Sequence, residues 1–312
     1  MSTNIQWTDE TWNPIVGCSL VSPGCTNCYA MNEAWRKSFN DKTRQYRGVV
    51  KQVNGHSVWT GEVHFVEHKL RDPLGWKAPR RVFVNSMSDL FHESVPDEWI
   101  DRIFAVMALA PQHTFQVLTK RAERMRSWFA NPDRADYVGL AMLAIAGKLP
   151  YGHRRVPWPF ANVWLGVSAE DQKRFDARVA DLYNTPAALR FFSFEPLLGA
   201  IDAKGPLSTG AFRWAIVGGE SGKNTRPMHP KWARDLRDQC TAAGVPFFFK
   251  QWGEWAPGTF SGSTPIKFMF ANGLFSSMFG DPTAAELGRV GKKASGRLLD
   301  GVEHNEFPEV HR

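Results

Sequence analysis

The chain has 312 residues, 43 % of them hydrophobic, with a formal net charge of +7. That apolar content supports a sizeable core and excludes a disordered or fibrous protein, and the basic excess favours an anionic partner such as nucleic acid or a nucleotide. No apolar run reaches the ~20 residues of a membrane span, and MSTNIQWTDETWNP lacks the basic start and apolar stretch of a signal peptide, so a cytoplasmic chain without a membrane partner is expected.

Short apolar runs alternate with amphipathic segments along the chain. A weak first strand is expected around Ile5–Trp7, just before a cysteine-rich loop. RVFVNSMSD (81–89) follows, with a helix over VPDEWIDRIFAVMALA, and then TFQVLTKR (114–121) with a helix over AERMRSWFA. ANVWLGVSAE (161–170) precedes a helix over DQKRFDARVADLYN, and ALRFFSFEP (188–196) leads into a loop. FRWAIVGGESG (212–222) precedes a helix over HPKWARDLRDQCTAAG, and PFFFKQWGEW (246–255) closes the series. Runs of β-branched and aromatic residues spaced by helices indicate parallel strands buried on both faces.

The expected fold class is α/β, a partial (β/α) TIM-like barrel over residues 1–255. Mixed-charge insertions near 40–80 and 132–160 lie over its mouth, and a Gly/Ser/Phe-rich C-terminal extension over 256–312 packs on it. No Gly-x-Gly-x-x-Gly stands at the first strand-to-helix turn, which argues against a dinucleotide-binding sheet. In such barrels chemistry gathers at the C-terminal strand ends. Polar residues there include Asn85, Ser86, Ser88 and Asp89; Thr119 and Lys120; Ser168 and Glu170; Ser193 and Glu195; Gly218, Gly219, Glu220 and Ser221; and Lys250 and Gln251. Helix capping explains Ser88, Asp89 and Ser168 equally well. Glu195 and Lys250 each end a run of Phe, where an unpaired charge is costly, so these two are candidates for substrate binding or proton transfer.

Three of the four cysteines, Cys18, Cys25 and Cys28, fall within eleven residues as Cys-x6-Cys-x2-Cys. A structural zinc needs four closed ligands, and neither Cys240, in a predicted helix and expected to face the core, nor a neighbouring histidine pattern supplies the fourth. Buried core cysteines are a poor account of three thiols in a polar Gly/Pro loop. Short-spaced thiolates also suit an iron–sulfur cluster that keeps one iron without a protein ligand.

These motifs carry a resemblance. The cysteine loop, its Cys-x2-Cys-Tyr ending and the barrel that follows are similar to the radical S-adenosylmethionine superfamily. More narrowly, WNPIVGCSLVSPGCTNCYA, NSMSDLFHESVP, VLTKR, WLGVSAED, FSFEPLLG, IVGGESG, PFFFKQWGEW and GRLLDG resemble a phage-associated three-cysteine family over nearly the whole chain. The resemblance implies a barrel of the radical SAM type and a 4Fe-4S cluster on Cys18, Cys25 and Cys28. It implies S-adenosyl-L-methionine chelated at the open iron, cleaved to a 5′-deoxyadenosyl radical that abstracts hydrogen from substrate. A reducing electron donor is then a required partner, and the location is the host cytoplasm if the chain is phage-encoded. The first gap is six residues where the superfamily usually has three, and Asn27 stands where an aromatic usually precedes the last cysteine. Tyr29 would then supply the ring near the cofactor. By position, Asn85, Ser86, Ser88 and Asp89 replace the usual Gly-Gly-Glu segment and would bind the methionine amino group. Lys120 or Arg121 and Ser168 would contact its carboxylate and the ribose, and Gly218, Gly219 and Glu220 would line the adenine or substrate.

Basic clusters at Lys77/Arg80/Arg81, Lys120/Arg121/Arg124/Arg126, Arg154/Arg155 and Lys292/Lys293/Arg297, with Trp76, Trp128 and Trp158 nearby, suggest phosphate and base contacts. Together with the resemblance, they point to a nucleic-acid base, or its adduct, as substrate. The narrower expectation is an isomerase in phage thymine hypermodification of DNA. The alternatives are a radical SAM lyase repairing a DNA photolesion and a non-catalytic, zinc-stabilised nucleic-acid-binding protein.

Overall fold

Six of the apolar runs, together with Glu10–Trp12, become the seven strands of one sheet in a computed structural model that describes residues 3–148, 156–261 and 263–309. The strands are β1 (Glu10–Trp12), β2 (Arg81–Val84), β3 (Thr114–Thr119), β4 (Val163–Ser168), β5 (Leu189–Phe194), β6 (Phe212–Gly218) and β7 (Phe247–Gln251). Their order in the sheet is their order in the chain. The pairs β1–β2, β2–β3, β3–β4 and β6–β7 are parallel, which with the intervening helices is the arrangement of a partial (β/α) barrel. Every residue of β4 is buried, as a strand covered on both faces must be.

The first strand is Glu10–Trp12, a correction to the expected Ile5–Trp7. Ile5 and Trp7 lie in a turn closed by the Thr8 N–H bonding to the Ile5 carbonyl at 3.4 Å. Trp7 is 2 % exposed and packs on Phe83 with ring centroids 4.6 Å apart, so its apolar signal marks core packing rather than a ladder. The short β1 takes its register from β2, with Glu10 opposite Val82 and Trp12 opposite Val84.

The chain divides into two compact units, the first formed by Met1–Val21, Cys28–Val167 and Ala180–Arg190. Here α1 (Tyr29–Ser38) buries Ala30, Met31 and Ala34, one helical face at i, i+1 and i+4 spacing. That face joins a cluster with Val49, Val50 and Trp59 from the hairpin Val50–Val53/His56–Trp59 and with Tyr46, Val66 and Met87. The 40–80 insertion therefore builds a small core against α1. The helix α2 (Asp97–Leu109) opens with Asp97 and Glu98, which complement its N-terminal dipole, and buries Ile100, Ile103, Phe104 and Met107. The helices α3 (Ala122–Phe129) and α4 (Arg134–Ala146) follow β3. Within the 132–160 insertion, residues 134–146 are thus helical: α4 packs against α2, and Arg134 inserts between Asp101, at 2.8 Å, and the ring of Trp128, 4.7 Å from its centroid.

The second unit comprises Ser22–Asn27, Ser168–Val179 and Phe191–Arg312. Its helix α5 (Gln172–Tyr183) contributes Phe175, which packs against Phe192 of β5 at 5.1 Å between centroids. The helix α6 (Pro230–Ala243) starts with Pro at its first position and ends on Gly244 at φ 64°, a left-handed cap that glycine adopts without strain. The C-terminal extension holds a three-stranded antiparallel sheet, with Ala285–Arg289 between Trp255–Pro257 and Ile266–Met269. The chain then returns to β7, where the Phe249 N–H bonds the His304 carbonyl at 2.9 Å and Asn305 bridges Phe248. This return covers the free edge of β7, as an exposed strand edge otherwise invites pairing with another chain. No helix among the described residues is long and apolar enough to cross a membrane.

Candidate functional site

In the first unit the chain leaves β1 through Ile15–Val16, which pairs antiparallel with His64–Phe65. Gly17 then turns at φ 94°, and a Cβ on it would stand 2.1 Å from the Glu62 carbonyl, so only glycine admits the turn that delivers Cys18. The Cys18 carbonyl accepts from the Gly61 N–H at 3.2 Å. Cys18 and Cys28 both pack half-buried against the core that the 40–80 insertion builds, and Cys28 caps the N-terminus of the ten-residue α1. That end of a helix favours a thiolate over a thiol.

The segment after β2 is pinned to the same region. Asn85 sits at φ 60°, an αL position that Asn tolerates better than most side chains, and it is 3 % exposed. Its Oδ1 accepts from the Ile15 N–H at 3.4 Å while its Nδ2 has no partner among the described residues. Ser86 donates to Asn13 Oδ1 (3.2 Å), Ser88 donates to the Ile15 carbonyl (2.9 Å), and the Tyr29 hydroxyl donates to the Ser86 carbonyl (3.0 Å). Asp89 is a buried clamp. It accepts from Thr119 Oγ1 (2.7 Å), Phe91 N (3.0 Å), Lys120 N (3.1 Å) and Arg121 Nη1 (3.1 Å). These bonds make Ser88 and Asp89 loop anchors and not helix caps, since the next helix begins only at Asp97 after Pro96. Just after β3, Arg121 is aimed at the thiol loop, with Nη1 3.8 Å from Cys18 Sγ. Burial opposes charging Arg121, yet Asp89, Glu93 and Cys18 together raise its pKa, so it stays a cation. His92, by contrast, is held neutral: burial and then Arg121 lower its pKa.

In the second unit Cys25 closes a tight turn over Pro23–Cys25, with its N–H on the Ser22 carbonyl at 2.9 Å and Ser22 Oγ 3.9 Å from its Sγ. Glu170, fully buried, accepts from the Gly24 N–H at 2.9 Å and pairs with Arg178 at 3.1 Å. Glu220 accepts from Asn27 Nδ2 at 3.0 Å and from Arg226 N and Nε at 2.8 and 3.0 Å, and Arg226 Nη2 donates to the Pro23 carbonyl at 2.9 Å. Two carboxylates at strand ends thus hold the segment that carries Cys25. Sequence reasoning placed Glu170 at a strand end without a role, and only its spatial neighbour reveals one. Gly219 is a packing glycine, since a Cβ there would meet the Trp252 carbonyl at 1.9 Å. Gly218 faces Glu195 and Lys250, whose side-chain carbons lie 3.4–3.5 Å from the position of a Cβ. Glu195 and Lys250 pair directly, Nζ to Oε1 at 2.6 Å, and Ser168 Oγ donates to the Glu195 carbonyl at 3.0 Å.

The basic clusters fare differently. Arg80, Arg81, Arg124 and Arg126 are engaged by Glu10, Asp9, Asp97 and Asp181, and Trp128 is fully buried, so it packs the core instead of stacking on a base. Lys77, Lys292 and Lys293 are exposed, and Arg154 and Arg155 lie outside the described residues.

None of the four cysteines is in a disulfide, and Cys240 is buried in α6 as expected. Among the described residues no group of three or more His, Cys, Asp or Glu side chains is arranged to hold a metal ion. The donor chemistry nonetheless suits thiolate ligation: three half-buried cysteines within eleven residues, none in a disulfide, one beside a cation and one at a helix N-terminus. No curated protein and no solved structure matches the chain. A family model described as "Protein of unknown function (DUF5131)" matches residues 2–308, nearly the full length, and the chain belongs to that DUF5131 family.

Proposed function

We propose that the protein is a radical S-adenosylmethionine enzyme acting on a nucleic-acid base or a base adduct. The observation that carries the reading is the set of three half-buried cysteines, Cys18, Cys25 and Cys28, none in a disulfide and all within eleven residues, with the Arg121 guanidinium beside the first. These three residues would hold a 4Fe-4S cluster, and their covalent spacing keeps them within reach of one another. When bound, cluster and S-adenosylmethionine supply one-electron cleavage of the sulfonium and thereby hydrogen abstraction from an unactivated carbon.

The chain's own residues have separable tasks. Asp89 anchors the residues after β2 and β3, and the unpartnered Nδ2 of Asn85 offers a donor to a bound cofactor. Glu170 and Glu220 hold the Cys25 segment. The Glu195–Lys250 pair provides an acid and a base at hydrogen-bond distance for substrate binding or proton transfer. The net charge and the exposed lysines Lys77, Lys292 and Lys293 support an anionic, nucleic-acid substrate. Isomerisation in thymine hypermodification of DNA is the narrower form of this reading.

Oxygen-free purification tests it. Brown protein containing iron and sulfide, lost on Cys25→Ala, together with 5′-deoxyadenosine formed from S-adenosylmethionine under reduction, is the expected result. Colourless protein holding one stoichiometric zinc would sink it in favour of a zinc-stabilised binding protein. Comparing modified bases in DNA from cells with and without the gene, by mass spectrometry, separates isomerase from photolesion lyase.

A further inference from the structure

We infer that Arg121 is a positioning residue that sets the electrostatic balance at Cys18 and so tunes the reduction potential of a cluster held there; the inference rests on the cluster reading above. Each nitrogen of the Arg121 fork has its own partner. Nη1 stands 3.8 Å from Cys18 Sγ and 3.1 Å from Asp89 Oδ2, Nε donates to Glu93 Oε1 at 2.8 Å, and Nη2 donates to Ser19 Oγ at 2.7 Å. Ser19 is fixed from the other side by His92. The His92 Nδ1 accepts from the Ser94 N–H at 3.1 Å, which leaves the proton on Nε2 to donate to Ser19 Oγ at 2.9 Å. The residue next to Cys18 is therefore held by two donors, and the cation is locked in place against the sulfur.

The two carboxylates facing Arg121 do not cancel it equally at Cys18. Asp89 shares its charge among Thr119 Oγ1 and the N–H groups of Phe91 and Lys120. Glu93 is 62 % exposed, so water screens it, whereas the Arg121 side chain is only 5 % exposed and keeps more of its field. A fixed positive charge beside a thiolate ligand favours the reduced, more negative state of the cluster. Every fork nitrogen is thereby committed within the protein, which assigns Arg121 to the cluster ligand rather than to a substrate carboxylate.

The test is a redox titration of the reconstituted full chain, followed by cluster absorbance and electron paramagnetic resonance. Arg121→Met should lower the midpoint so that the reduced-to-oxidised ratio at fixed potential falls about tenfold, about 59 mV for a one-electron couple. Arg121→Lys, which keeps the charge, should move it less. Glu93→Gln, which keeps an acceptor for Arg121 Nε while removing the negative charge, should shift the midpoint the opposite way, and a downward shift there overturns the inference even if Arg121→Met fails to fold. Unchanged potentials in a wild type and variants that all carry iron overturn the inference alone. A wild type that takes up no cluster overturns it together with the proposed function.

Discussion

Lys250 Nζ lies 2.6 Å from Glu195 Oε1, and both side chains are less than one-fifth exposed. Each ends a Phe-rich strand run, and each answers the other's burial. Substituting either alone, as Glu195→Gln or Lys250→Met, strands its partner and should cost about 2 kcal/mol in urea unfolding. The double variant should recover part of that loss. If the pair also serves the reaction, turnover stays abolished in all three; recovery of turnover with stability would make the pair purely structural.

Glu170 joins Gly24 to Arg178. Glu170→Ala leaves a nearly buried guanidinium without its carboxylate, so a loss of about 3 kcal/mol is expected, together with, on the proposed cluster reading, a drop in bound iron. Glu170→Gln retains an acceptor for the Gly24 N–H and should keep more iron than the alanine variant. Iron per chain after anaerobic reconstitution checks the order; equal retention by both variants contradicts the clamp.

Cys240 is fully buried, and burial, with a contribution from Glu306, pushes its thiol up to about 12. It behaves as a small apolar side chain in α6. On the proposed cluster reading, Cys240→Ala should keep full iron content while lowering stability by about 1 kcal/mol. Loss of iron in this variant would make Cys240 a fourth ligand.

His113 supplies a pH test. It is 1 % exposed, its Nε2 lies 3.1 Å from the Pro73 carbonyl, and its Nδ1 has no partner among the described residues. Burial lowers its pKa, so the folded chain keeps the ring neutral where the unfolded chain already binds a proton. Below the ordinary histidine value of about 6.5, the unfolded state therefore gains protons that the folded state refuses, and stability falls with pH until the lowered pKa is passed. His229 and His92 are shifted the same way by burial. Melting temperatures from pH 7.5 to 5 should decline, and His113→Gln should flatten part of that decline relative to wild type.

Much of the architecture was legible because buried parallel strands and amphipathic helices leave local periodic signals. TFQVLT, VWLGVS and FRWAIVG became strands, and DEWIDRIFAVMAL became a helix, close to where their patterns indicate. The first strand was misplaced because β1 is three residues long and Trp7 is core without being strand. The helix Arg134–Ala146 went unrecognised because its apolar residues spread around the axis: Val138 and Met142 are buried while Leu140 and Leu143 are exposed.

The candidate site divides along the same line. Composition and spacing alone determined that three thiols share one polar Gly/Pro loop, since that is a property of eleven consecutive residues. Tertiary structure alone decided which charges meet. Gly24 and Glu170 are 146 positions apart, and Cys18 and Arg121 are 103 apart. No local pattern encodes such partners, because burial in a folded chain, rather than neighbourhood along it, makes an ionised side chain seek one particular counterpart.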